Sequence, residues 1–174
     1  MKVVIINGTG GCGKDTFVNL CKMIDPKIQN YSTIDAVKDV ARKMGWLEDK
    51  SEKGRKFLSD IKELWDEYNY GATGVVIKRV SKYKDLLEEL GMDTTVFVHC
   101  REPHKIKEMK EKFVELGCQV ITLLIENNNV ADILTNDSDR YVREYDYDLI
   151  VENNGTIDDL SSSARWFYYT WLVD

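Results

Sequence analysis

Val3-Val4-Ile5-Ile6-Asn7-Gly8-Thr9-Gly10-Gly11-Cys12-Gly13-Lys14-Asp15-Thr16 is the stretch that decides how this chain is read. Four consecutive β-branched residues mark a strand buried on both faces, as parallel strands are. The helical-looking run Phe17 to Met23 follows, so a strand passes through a glycine-rich loop straight into a helix. Glycines in such a loop let successive backbone N–H groups converge on phosphate oxygens, and the helix N-terminus adds positive potential. Lys14 stands where a lysine reaches the β and γ phosphates. A plain turn with a solvated lysine would leave the coincidence of strand, spacing, lysine and helix unexplained. Gly8, Gly10, Gly11, Cys12, Gly13, Lys14, Asp15 and Thr16 are therefore the candidate cradle for a nucleoside triphosphate, ATP.

Asp15 occupies the place where Ser or Thr usually meets Mg²⁺. A carboxylate beside a triphosphate is repulsive unless a cation bridges them, which makes Asp15 a candidate metal ligand, directly or through water, or a proton-handling group. The plainer alternative is an acidic residue favoured by the helix dipole. Cys12, among convergent N–H groups and next to Lys14, is either a thiol open to redox control or a tolerant loop position.

Outward from the loop, Val96-Phe97-Val98, Val120 to Ile125 and Leu149-Ile150-Val151 read as further strands, and Ile28 to Ser32 as a fifth. Ile106, Met109, Phe113 and Leu116 recur at helical spacing, as do Ile34, Val37, Ala41 and Met44; Phe57, Leu58, Ile61, Leu64, Trp65 and Tyr68; and Val76, Val80, Tyr83, Leu87 and Leu90. Three helices thus fall between the second and third strands, more than one crossover needs, and they predict a helical subdomain projecting from a parallel sheet. The fold class is α/β. The aromatic tail Trp166 to Leu172 predicts a helix packed on the sheet, with a dimer contact as the sharper alternative. The expected state is monomer or homodimer.

With 174 residues the chain suits one domain, residues 1–174. Thirty acidic against 24 basic side chains give a net charge of -6, which disfavours nucleic acid and anionic lipid as partners. The opening apolar run is too short for a signal peptide or a membrane span, so the expected location is cytoplasmic. Cys12, Cys21, Cys100 and Cys118 lack C-x-x-C spacing and read as reduced thiols.

Arg55, Ser59 and Lys62 recur at i, i+4 and i+7, and Lys38 and Arg42 are four apart on the preceding helix. These polar faces are the candidate clasp for an acceptor phosphate, with Arg55 the best bidentate group and solvated faces the alternative. Lys78, Arg79 and Lys82 read as solvated. Arg101, at the carboxyl end of a parallel strand, points toward the crevice where open α/β sheets bind ligands.

Together with the loop, Asp35-Ala36-Val37-Lys38-Asp39, Lys53 to Asp60, Val98-His99-Cys100-Arg101-Glu102-Pro103, Tyr145 to Asp148 and Asn153-Asn154-Gly155-Thr156 stand in an order that resembles the P-loop kinases whose loop reads Gly-Lys-Asp. These are chiefly the phage-type deoxynucleoside monophosphate kinases and, more distantly, the animal-type phosphomevalonate kinases. The resemblance implies a P-loop NTPase fold, three layers α/β/α around about five parallel strands, with a helical acceptor-binding insert over about 33–91 and a lid over about 126–144. It implies Mg²⁺-dependent transfer of the ATP γ-phosphate to a small phosphorylated acceptor, most simply a nucleoside or deoxynucleoside monophosphate. Lys14, Asp15 and Arg101 would then act in transfer, Lys38, Arg42, Arg55, Ser59 and Arg101 on the acceptor, and Asp15 and Glu102 on the metal, Glu102 through water. The sequence departs from the family in two places. His99 takes the place of an acidic, metal-organising residue, and Glu126 to Asp139 holds no Lys or Arg. The transition-state cations would then be Arg140 and Arg143, three apart after a cap at Asn136 or Ser138. The departures keep a second class open, a nucleotide-binding sensor without efficient transfer.

Overall fold

A computed structural model describes residues 1–49, 51–69, 71–129 and 141–173. Five parallel strands, β1 (Lys2–Asn7), β2 (Gln29–Ser32), β3 (Thr95–His99), β4 (Gln119–Glu126) and β5 (Leu149–Glu152), form one sheet in the order β2-β3-β1-β4-β5. The central strand is the apolar run of the opening sequence, and Val3, Val4, Ile5 and Ile6 are fully buried. Because the strands are parallel, Asn7, Ser32, His99, Glu126 and Glu152 all close the same edge of the sheet.

The helices are α1 (Lys14–Ile24), α2 (Thr33–Lys43), α3 (Glu52–Tyr68), α4 (Gly71–Glu89), α5 (Pro103–Glu115) and α6 (Ile157–Phe167), the last continued by a π-helical turn over Tyr168–Leu172. One face of the sheet packs through Val4, Ile6 and Phe97 against Phe17, Val18 and Cys21 of α1 and Leu160, Ala164 and Phe167 of α6. The rings of Phe17 and Phe97 lie 5.6 and 6.2 Å from that of Phe167. The other face packs through Val3, Ile5, Val96 and Val98 against Val76 and Val80 of α4 and Ile106, Met109 and Phe113 of α5. This is the α/β architecture expected, with helices on both faces of the sheet. The aromatic tail does pack on it through Tyr168, Trp171 and Leu172, while Trp166 and Tyr169 stay exposed.

Three helices do intervene between β2 and β3, but they are buried unequally. α4 contributes Ala72, Thr73, Val76, Val80 and Leu87 to the interior, whereas α3 buries only Gly54 completely. The apolar stripe expected on α3 is half-buried at Phe57, Leu58, Ile61 and Trp65 and ends in exposed Leu64 and Tyr68. α2 begins in a capping box: Ser32 Oγ accepts from Ile34 N–H at 3.4 Å, and Asp35 Oδ2 accepts from Ser32 N–H at 3.2 Å. Arg79, read as solvated, is exposed and also lies over the Tyr31 ring with its guanidinium carbon 5.3 Å from the centroid, a cation–π contact that ties α4 to β2. Among the described residues no helix is long and apolar enough to cross a membrane.

Candidate functional site

The loop leaves β1 at Asn7, whose side chain is wholly buried and spans three segments. Its Oδ1 accepts from Gly8 N–H at 2.7 Å, and its Nδ2 donates to Arg101 O at 3.0 Å and to the Tyr147 hydroxyl at 2.6 Å. Tyr147 in turn donates to Val142 O at 2.7 Å, and burial pushes its phenol up to about 12, which keeps it a neutral donor. One amide thus locks the start of the loop to the end of β3 and to the segment that leads into β5.

The loop backbone explains the glycines. Gly8, Gly11 and Gly13 have φ of 147°, 79° and 103°, values that L side chains rarely adopt. A Cβ at Gly8 would collide with Ile125 O and Cys12 Sγ, and one at Gly13 with the Asn153 amide. Asn153 is therefore a wall of the loop, and its Nδ2 also donates to Cys12 O at 2.9 Å. Gly13 caps α1 without a side-chain bond, so the first N–H groups of that helix face the loop. Lys14, almost fully buried, donates to Gly8 O at 2.6 Å and Thr9 O at 2.7 Å, with Cys12 Sγ at 3.6 Å. Its ammonium thereby sits inside the loop. Cys12 is completely buried beside it, as are the free thiols Cys21 and Cys100, both pushed up to about 12 by burial. Burial at Cys12 favours the structural reading of that thiol over redox exposure.

Asp15 and Thr16 are exposed on the first turn of α1. Asp15 Oδ1 faces His99 Nε2 at 3.7 Å, a separation too long for a hydrogen bond. His99 closes β3, its Nε2 is buried, and among the described residues that nitrogen has no hydrogen-bond partner. Burial holds the imidazole below its ordinary value, opposed by Asp15 and reinforced by Lys14. Asp15 and Thr16 present oxygen donors at the mouth of the loop, which fits a hard divalent cation carried by a triphosphate.

Glu102 is engaged elsewhere. Lys62 of α3 donates to its Oε1 at 2.5 Å and approaches Asp66 Oδ2 at 3.8 Å. Burial pushes the Glu102 carboxyl up, but Lys62 and backbone N–H groups outweigh it and hold the group below its ordinary value. Lys62 is thus an anchor between the helical insert and the β3–α5 junction, and the acceptor face inferred from Arg55, Ser59 and Lys62 loses its third member to that bond. Arg55 and Ser59 are exposed on α3. Arg42 is bound to Glu48 at 2.8 Å and Asp39 at 2.7 Å on an exposed face, while Lys38 is half-buried on the same helix. Directly after Arg101, a cavity of about 290 Å³ is lined by Glu102, Pro103, His104, Tyr141 and Glu144.

Of the two arginines expected as transition-state cations, Arg140 lies outside the described residues, as do the expected caps Asn136 and Ser138. Arg143 sits in a 3₁₀ turn, Val142–Glu144, and not on an α-helix. Its Nε donates to Glu126 Oε1 at the end of β4 at 2.8 Å, and its Nη2 donates to Asn128 Oδ1 at 3.4 Å. There the strand-end loops are cross-linked: Asn128 N–H donates to Asn154 Oδ1 at 2.7 Å, Asn129 Nδ2 donates to Asn154 O at 2.9 Å and Asn153 N–H donates to Glu126 O at 2.6 Å. Sequence reasoning missed the parts played by Asn7, Asn153 and Tyr147. Their only signal was an amide at each end of the glycine loop's neighbourhood and a tyrosine just before β5.

No protein-family model matches the chain, and no curated protein matches it. Solved structures share its fold. The Mycobacterium tuberculosis APS kinase in complex with AMPPNP and APS matches at a TM-score of 0.51 and 13% identity, over 97% of this chain and 98% of that one. A putative kinase from Chloroflexus aurantiacus matches at a TM-score of 0.51 and 10% identity, over 97% and 96%. The chain shares the α/β fold of these kinases, a parallel five-stranded sheet with flanking helices.

Proposed function

We propose that the protein is an ATP-dependent phosphotransferase acting on a small phosphorylated acceptor, with a nucleoside or deoxynucleoside monophosphate as the leading class. The observation that carries this reading is the loop itself: three glycines at positive φ, a buried lysine inside it and an uncapped helix N-terminus come together in the arrangement that suits a polyphosphate. Phosphoryl transfer asks the protein for positioned phosphates and compensating charge rather than a nucleophilic side chain. Lys14 would exchange the carbonyls of Gly8 and Thr9 for phosphate oxygens, while the amides of Gly11 to Lys14 bind the remaining oxygens. Asp15 and Thr16 would hold the divalent cation, which supplies charge neutralisation across the phosphates. Arg101 at the mouth of β3, with Arg55, Lys38 and Ser59 from the insert, would meet the acceptor phosphate. Arg143 would serve the transferring group only after leaving Glu126. Similarity to kinases in the same fold supports the class of reaction and is silent on the acceptor.

His99 in place of a carboxylate, with Glu102 committed to Lys62, favours a second reading in which the protein binds a nucleotide as a sensor. A coupled ADP-release assay with nucleoside monophosphates and other small phosphorylated acceptors separates the two. Acceptor-dependent ADP release is expected. ATP binding without release for any acceptor would establish the sensor.

A further inference from the structure

His99 closes β3 at this mouth, and the phosphate cradle does not use its chemistry. Its Nε2 is buried and lacks a hydrogen-bond partner among the described residues, a costly arrangement for a polar atom unless a ligand satisfies it. That nitrogen lies 3.7 Å from Asp15 Oδ1. Two donors on one ion with bonds of about 2.1 Å are separated by about 3 Å when cis and about 4.2 Å when trans, so one ion can take both after a small adjustment.

We propose that His99 joins Asp15 and Thr16 in the divalent-cation site and makes it take a transition-metal ion such as Mn²⁺ in preference to Mg²⁺, the triphosphate oxygens supplying the other ligands. The inference rests on the nucleotide-binding reading above. An imidazole nitrogen suits first-row transition ions, whereas Mg²⁺ demands oxygen. The ion arrives with the nucleotide and completes its shell there. Asp35 adds negative charge beside His99 but is committed to capping α2 through Ser32 N–H. Lys14 and Arg101 add positive charge near the imidazole and oppose a cation, so the site fills only when the phosphates bring their own charge.

The test uses the full chain with Mn²⁺ or Mg²⁺ and a non-hydrolysable ATP analogue. Electron spin-echo envelope modulation of the Mn²⁺ complex should show a directly bound imidazole nitrogen. Calorimetry should show that His99→Ala weakens analogue binding with Mn²⁺ by about tenfold or more and with Mg²⁺ by less than about threefold, while His99→Asp shifts the preference to Mg²⁺. A Mn²⁺ complex of the parent protein that binds the analogue without nitrogen modulation overturns the proposal, whatever the variants do. Failure of the parent to bind the analogue with either ion overturns the nucleotide reading instead.

Discussion

From Lys2 to Gly8 every residue is buried, and the loop that follows is held by Asn7 from one side and Asn153 from the other. Along α3, only Gly54 is buried, and the polar side chains that would meet an acceptor face solvent. One region is shaped by backbone conformation and interior bonds, and the other by side chains on a helix that touches the core through a half-buried stripe. The difference separates what each half of the site can do. Under the proposed function, a buried, glycine-specified loop would bind a constant group, the polyphosphate, and leave little room for variation. An exposed helical face, if it meets the acceptor as proposed, could change that acceptor by surface substitution at little cost in stability. Lys62 joins the two through its bond to Glu102.

Stability breaks this comparison most visibly. Phe97→Ala, in the layer between α1, α6 and the sheet, should cost about 3 to 5 kcal/mol, whereas Leu64→Ala on α3 should stay within about 0.5 kcal/mol. Denaturant unfolding of both variants checks it, and comparable losses would mean that α3 is as firmly seated as the core.

The link between the regions gives the next effect. Glu102 is held below its ordinary value, so its contribution is fully present above the unfolded carboxyl's value of about 4.3 and is lost as pH falls through the lower, folded one. Glu102→Gln should therefore be less stable than the parent by about 1.5 to 3 kcal/mol at pH 7, with the gap closing below about pH 4. Unfolding measured across that range would show a pH-independent gap if packing alone were responsible.

These residues also show what the sequence displays and what it hides. Strand and helix positions were legible because the β-branched run at Val3 to Ile6 and the stripe at Ile106, Met109 and Phe113 repeat with the period of their element. The strand–loop–helix form was legible because glycines cluster where the backbone takes positive φ, at Gly8, Gly11 and Gly13. The long-range bonds of Asn7, Asn153 and Lys62 were not, since nothing local to an amide or an ammonium tells which distant carbonyl or carboxylate it will meet. The exposure of Leu64 and Tyr68 was hidden for a related reason: periodicity marks a face and does not say how deeply its neighbours cover it.

The smallest effect sharpens the division of labour. Arg55→Ala should raise the acceptor KM by about tenfold, the worth of one charge-assisted contact, and leave ATP affinity nearly unchanged. Steady-state kinetics with the acceptor found by the ADP-release assay checks it, and a variant that lost ATP affinity but kept its acceptor KM would place Arg55 in the wrong half.

The central claim is that the loop is a polyphosphate cradle built around Lys14. Calorimetric titration of the parent and Lys14→Ala with ATP and with adenosine tests it most directly. A charge-assisted phosphate contact worth about 1.5 to 3 kcal/mol predicts that ATP affinity falls by one to two decades while adenosine affinity is unchanged. Equal ATP affinity in the two proteins would contradict the account.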